Sequence, residues 1–109
     1  MNLKDKYLNT PAGIPGVVEV EGWGRVHVRA LSLAQLEKAQ QAEQADPVRG
    51  LVLLVLFGVC DENGQRVFSD DDADAVKESF PVPTLRQVTE AIVRHNRLTA
   101  EDVVDAKKD

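Results

Sequence analysis

The chain is poor in the residues that build covalent, metal and membrane sites. Its single cysteine, Cys60, excludes an internal disulfide and favours a reducing compartment. The two histidines, His27 and His95, are far from each other and from Cys60, so the local ligand spacing of a zinc site is missing. The longest apolar run, Leu51 to Cys60, is about half of the roughly 20 residues that span a membrane. We therefore expect no metal, no cofactor and no contact with a membrane.

An excess of basic charge is also lacking. The net charge is −5; residues 1–60 carry six basic and six acidic side chains, and residues 61–109 carry seven and twelve. An acidic surface repels phosphate, so we expect no nucleic-acid partner. The chain has no Gly-rich phosphate loop and no serine near a histidine, and we assign no catalytic residue. The chain is not expected to be an enzyme.

The first 16 residues lack the periodicity of a core element. Two prolines and two glycines between Asn9 and Gly16 predict a flexible N-terminal arm over residues 1–16. The remainder, 17–109, is long enough for one small domain. The N-terminus has no apolar stretch typical of a secretory leader, which favours the cytosol.

Alternating valines predict a β-hairpin after the arm. The apolar positions are Val18, Val20, Val26 and Val28, with charged residues between most of them. Gly22 and Gly24 flank Trp23 at the reversal, where glycine adopts turn conformations freely. A lone hairpin is marginal in water, so its valine face must pack on another layer.

A polar helix and an apolar helix are predicted next. Ser32 and Gln35 have the spacing of a capping box, and the helix over 33–45 has only a narrow apolar stripe. Asp46-Pro47 ends it and begins a helix over 48–60 that is apolar nearly all round. This second helix should lie at the centre of the core, and any side left uncovered should form an oligomer interface.

An acidic turn follows the apolar helix. Asp61 and Gly64 belong to an Asp-Glu-Asn-Gly turn, and Gln65 to Phe68 is a candidate third strand beside the hairpin. Ser69 is predicted to cap a helix that has Asp70 and Asp72 in its first turn. The spacing of oxygen-bearing side chains is close to that of a calcium loop. However, Arg66 stands where an EF-hand needs glycine, and the last position is aspartate, so we favour the turn and cap.

The remaining sequence predicts helices. The helix from Ser69 should end near Phe80, before Pro81 and Pro83. Thr84 and Gln87 have capping-box spacing for a helix that ends at Asn96, and Thr99 with Asp102 begins a last short helix. The predicted fold class is α+β and mostly α-helical, with the hairpin packed on a bundle of four to five helices.

Two segments resemble one protein family. The first is Glu21 to Arg29, around Trp23-Gly24. The second is Asp61 to Asp72, which reads Asp-Glu-x-Gly-x-x-x-Phe-x-Asp-x-Asp. In this order they resemble the tail assembly chaperones of bacteriophages and prophages with long, siphovirus-type tails. The closing Lys107-Lys108 is also similar, whereas Glu21-Gly22 departs from the Pro-Glu of many relatives.

The resemblance implies a role in tail assembly. Members of the family bind the tape measure protein and recruit major tail subunits, so this chain would be a short-form chaperone and a homo-oligomer. It would act in the host bacterial cytoplasm and be absent from the mature virion. The predicted partner-binding residues are Trp23, Leu33, Leu36, Ala39 and Val55. The alternative is a small structural tail or head-completion protein of the virion.

Overall fold

A computed structural model describes residues 2–10 and 13–98. The helices are α1 (Leu3–Leu8), α2 (Leu33–Ala45), α3 (Pro47–Gly58), α4 (Ala73–Ser79) and α5 (Val82–His95); the strands are β1 (Gly16–Val20), β2 (Gly24–Val28) and β3 (Val59–Cys60). The predicted α+β, mostly helical class is confirmed. No helix within the described ranges has the length and apolarity needed to cross a bilayer. The helix predicted from Thr99 and the Lys107-Lys108 pair lie outside the described residues.

The arm contains a short helix. The Asn2 side chain caps α1 by accepting a hydrogen bond from the backbone N–H of Asp5 at 2.8 Å. Every residue of α1 is exposed. The division into an arm at 1–16 and a domain at 17–109 stays a prediction.

The predicted hairpin is confirmed. Strands β1 and β2 are antiparallel, with Val18 opposite Val26. The glycines on either side of Trp23 both have positive φ, +88° at Gly22 and +81° at Gly24, as this turn requires. The inward-facing valines Val20, Val26 and Val28 are buried.

The third strand is not where the sequence predicts it. Val59–Cys60, expected at the end of the apolar helix, pairs antiparallel with β2 as β3. Within Gln65 to Phe68, Arg66 makes an isolated bridge to Cys60. The chain leaves α3 at Gly58, whose carbonyl accepts a hydrogen bond from the Arg29 backbone at 2.8 Å. Pairing with β2 therefore outweighs continuation of the helix.

Helix α3 is central, as predicted. Helices α2, α4 and α5 all pack against it, and Val52, Val55, Leu56 and Phe57 are buried. The Asp46 carboxylate caps it by accepting from the Val48 backbone at 3.0 Å. The predicted capping box of α2 is also present between Ser32 and Gln35.

Helix α5 begins earlier than the sequence predicts. It starts at Val82, and Pro83 occupies its first turn. Proline is tolerated there because the backbone N–H that it lacks would have no partner within the helix. Thr84 therefore lies inside the helix and is buried, so the predicted capping box of Thr84 and Gln87 is wrong. The predicted end is confirmed, since Asn96 is the C-cap.

The acidic turn is held by its own side chains. The Asp61 carboxylate accepts hydrogen bonds from the backbone N–H groups of Asn63 and Gln65 at 2.9 and 3.0 Å. Gly64 has a φ of +84°. These bonds make Asp61 a structural residue of the turn.

The helix predicted from Ser69 begins as a 3₁₀ turn over Asp70–Asp72 and continues as α4. The Asp72 carboxylate accepts from the backbone N–H and the hydroxyl of Ser69 at 2.8 and 3.3 Å. Asp70 forms an ion pair with Arg66 at 3.0 Å. Across the described part of the chain, no three His, Cys, Asp or Glu side chains are grouped so that they could hold a metal ion.

Candidate functional site

One side of α3 is not covered by its neighbours. Leu51 and Leu54 lie three residues apart and are only half-buried, whereas Val52 and Val55 are buried. Helices α2 and α5 form the two walls of an open groove above these leucines. We call it the leucine groove, and its apolar side chains include Leu33, Leu36, Leu51, Leu54, Val93 and Leu98.

The leucine groove is continuous over three adjoining hollows. The largest, about 280 Å³, contains Leu51 and Leu54 in its floor. The same two leucines line a second hollow of about 200 Å³ along α5. Leu36 and Leu98 connect the largest hollow to a third, of about 160 Å³, which includes Leu33. An apolar strip thus extends from the start of α2 to the side of α5.

Small residues bring the α2 wall close to the floor. A Cβ added to Gly50 would lie 2.7 Å from the Cβ and 2.9 Å from the Cα of Glu43. Ala39, which also lines the largest hollow, is buried. Larger side chains at these positions would push α2 away from α3.

Acidic side chains flank the groove on both walls. Glu43 of α2 lines the largest hollow and Glu90 of α5 lines the second, and both are exposed. Within residues 2–10 and 13–98, neither carboxylate is in a salt bridge. The groove therefore has an apolar floor, an acidic α2 wall at Glu43, and an α5 wall that carries both Glu90 and Arg94.

The structure brings three of the predicted partner-binding residues to this groove. Leu33 is 86% exposed and Leu36 is half-buried, whereas Ala39 is covered. Val55 has 0% exposure and packs in the core, so we do not include it in a contact surface. Trp23 lies elsewhere, at the tip of the hairpin.

Trp23 belongs to a second apolar surface, the aromatic patch, formed by Trp23, Val67, Phe68 and Phe80. The Trp23 ring is edge-on to Phe80 with centroids 4.7 Å apart, and Phe80 lies 5.9 Å from Phe68. Trp23 is still 43% exposed, beside a shallow hollow of about 460 Å³. A tryptophan packed on one side and open on the other is typical of a protein contact.

A larger hollow of about 520 Å³ lies between α2 and α4. Its floor includes Val52 and Phe57, but its walls carry charges of both signs, among them Lys38, Arg49 and Asp74. Burying unpaired charges opposes apolar binding. We therefore place the candidate site at the leucine groove, although this hollow is larger.

Burial disfavours the reactive thiolate form of the cysteine. Cys60 is buried in β3, and burial raises the pKa of its thiol above the ordinary value of 9.0, with nearby Arg29 lowering it and Asp61 raising it. The thiol is therefore protonated at neutral pH, whereas a nucleophile needs the thiolate.

The prediction of partner-binding residues from the sequence did not include four residues of the groove: Leu51, Leu54, Val93 and Leu98. The signal for the first two was present, because α3 is apolar nearly all round and some side had to remain open. The sequence does not specify which side, since that depends on where α2 and α5 pack.

Neither a protein-family model nor a curated protein matches this chain. A solved structure, the tail assembly chaperone of bacteriophage HK97, is similar over 83% of this chain and 89% of that one. The sequence identity is 26% and the TM-score is 0.65. This likeness agrees with the resemblance carried by Trp23-Gly24 and by Asp61 to Asp72. This similarity supports the resemblance to the phage tail assembly chaperone family and a role in tail assembly.

Proposed function

We propose that this protein is a non-enzymatic chaperone that binds the tape measure protein and recruits major tail subunits while the tail tube assembles. The leucine groove is the observation that carries the proposal. It offers an open apolar strip next to a well-packed core, as expected of a surface that accepts a partner. The protein would act in the cytoplasm of the host bacterium.

The shape of the groove suits an amphipathic helix. A helix presents apolar side chains every three or four residues, and two helical walls over a leucine floor can receive such a stripe. Fully burying one leucine contributes about 1.5–3 kcal/mol, and association consumes much of that gain. Each copy would therefore bind weakly, and a long tape measure protein would be held by many copies together. Weak individual contacts also allow release when the tube forms.

Two further contacts belong to the proposal. Recruitment of a tail subunit needs a surface separate from the one that holds the tape measure protein, and the aromatic patch around Trp23 supplies one. We also propose that the protein self-associates, because the described residues leave Leu51 and Leu54 of α3 only half-buried.

The test is coexpression with the tape measure protein of the same phage or prophage, scored by the solubility and copurification of that protein. Leu33→Asp should abolish both, since it puts a charge on the most exposed leucine of the groove. Val48→Asp is the matched control: Val48 is 44% exposed and lines none of the three groove hollows. Both changes put aspartate in the first turn of a helix, where the dipole favours it. Equal solubilisation by the two variants would contradict binding at the groove.

A further inference from the structure

We propose that helix α1 of one copy docks in the leucine groove of a second copy. The inference rests on the self-association proposed above and names its interface. The arm would then be an interface segment, and it would occupy the groove until the tape measure protein, the client of the proposed function, binds there.

The arm has an apolar face that no described residue of the chain covers. Leu3 and Tyr7 are 64% and 65% exposed, and their four-residue spacing puts them on one face of α1. No residue of this six-residue helix is buried. A helix this short is marginal in water by itself, so a contact on its apolar face would stabilise it.

The groove has the matching apolar floor. Leu51 and Leu54 underlie hollows of about 280 and 200 Å³ that no described residue fills. Leu3 and Tyr7 are one helical turn apart, and the two hollows adjoin each other, since Leu51, Leu54 and Val93 line both. Each chain has one α1 and one leucine groove. Two copies can therefore cover both surfaces without a different protein.

The charges beside these surfaces are complementary. Lys4 and Lys6 fall on the two sides of the Leu3–Tyr7 stripe, because successive residues of a helix are rotated by about 100°. Glu43 falls on the α2 wall of the groove, and Glu90 falls on the α5 wall, one helical turn before Arg94. A docked α1 would therefore place one lysine near each carboxylate.

A second copy is the occupant that we infer, because α1 is fully exposed and no described residue of the same chain fills the groove. The arm joins the body at Gly16, where an added Cβ would lie 2.8 Å from Nδ1 of His95, close to the α5 wall. Two copies could thus exchange arms and close a pair. A tape measure helix would then have to displace the arm, so self-association and client binding compete.

Charge exchange tests this docking, with sedimentation over a concentration series as the readout. The double variants Lys4→Glu with Lys6→Glu, and Glu43→Lys with Glu90→Lys, should each weaken self-association by about tenfold. All four changes combined should restore it to within about twofold of the original chain. Ile14→Ser, which removes an exposed apolar side chain from the same arm, is the control and should change nothing. Self-association that is absent in the unchanged chain, or insensitive to the charge changes, would overturn the proposal.

Crosslinking identifies the occupant. Gln40→p-benzoylphenylalanine places a photoreactive group on the groove wall, and a mixture of isotopically light and heavy chains separates contacts between copies from contacts within one. We expect crosslinks to residues 2–10 of the other copy. Crosslinks to the same chain's arm, or to residues 99–109, would overturn the inference.

The coexpression assay separates this inference from the proposed function. If the charge variants behave as expected while the tape measure protein stays insoluble, arm docking stands and the proposed client is wrong. If the client is solubilised equally by chains with and without the charge changes, and the unchanged chain does not self-associate, the client proposal stands and arm docking fails.

Discussion

At the scale of single residues, Asn96 joins parts of the chain that are distant in sequence. Its side-chain oxygen accepts from the Leu31 backbone at 2.8 Å, and its amide donates to the carbonyl of Arg29 at 3.2 Å. The amide also donates to the carbonyl of Ile92 in α5, at 2.9 Å. One half-buried amide thus ends α5 and ties it to the segment between β2 and α2.

We expect Asn96→Ala to lower the free energy of unfolding by about 1–3 kcal/mol, because it leaves the Leu31 N–H and the Arg29 carbonyl without these partners. Urea unfolding followed by Trp23 fluorescence measures the change. Asn9→Ala is the control: its amide donates to the Asp5 carbonyl within the exposed arm, so the effect should stay within about 0.5 kcal/mol. Equal stability of the two variants would show that the long-range bonds do not stabilise the fold.

At the scale of elements, the groove depends on how closely α2 approaches α3. Gly50 permits this approach because it has no Cβ. A Cβ at this position would lie 2.9 Å from the Cα of Glu43. A backbone atom cannot move aside as the end of a flexible side chain can. The spacing of the two helices is therefore set at this glycine.

Gly50→Ala tests that spacing. Within a helix, alanine is more favourable than glycine by about 1 kcal/mol. Forced separation of α2 and α3 should cost more than this gain. We therefore expect the free energy of unfolding, measured in urea, to fall by about 1–2 kcal/mol. Val48→Ala, in the same helix at a more exposed position, should cost less than about 1 kcal/mol. A stabilised Gly50→Ala variant would mean that the helices adjust without cost.

At the scale of the whole molecule, an assembly factor and a virion component differ in where they accumulate. If the protein acts as a chaperone and is then released, quantitative mass spectrometry should find it abundant in infected lysate and missing from purified particles. The major tail subunit, measured in the same samples, is the control and should be enriched in particles. A fixed copy number per particle would instead establish the small structural tail or head-completion protein.

Much of this fold follows from local sequence. The hairpin, the capping box at Ser32, the Asp46-Pro47 junction and the Asp61 to Gly64 turn all depend on neighbouring residues, and the structure confirms each. The apolarity of α3 also predicts its central position correctly. These features are readable because their hydrogen bonds and periodicities involve residues a few positions apart.

Only the tertiary structure decided where the apolar run leaves the helix, where α5 begins and which side of α3 stays open. Val59–Cys60 became a strand because β2 lies beside it, and Thr84 became buried because α5 starts at Val82 and packs on the core. Leu51 and Leu54 form a groove only because α2 and α5 stand on either side. Sequence alone determined the hairpin, the two helices joined at Asp46-Pro47 and their apolar faces. Packing between distant segments, which no local pattern encodes, determined the surface that remains for a partner.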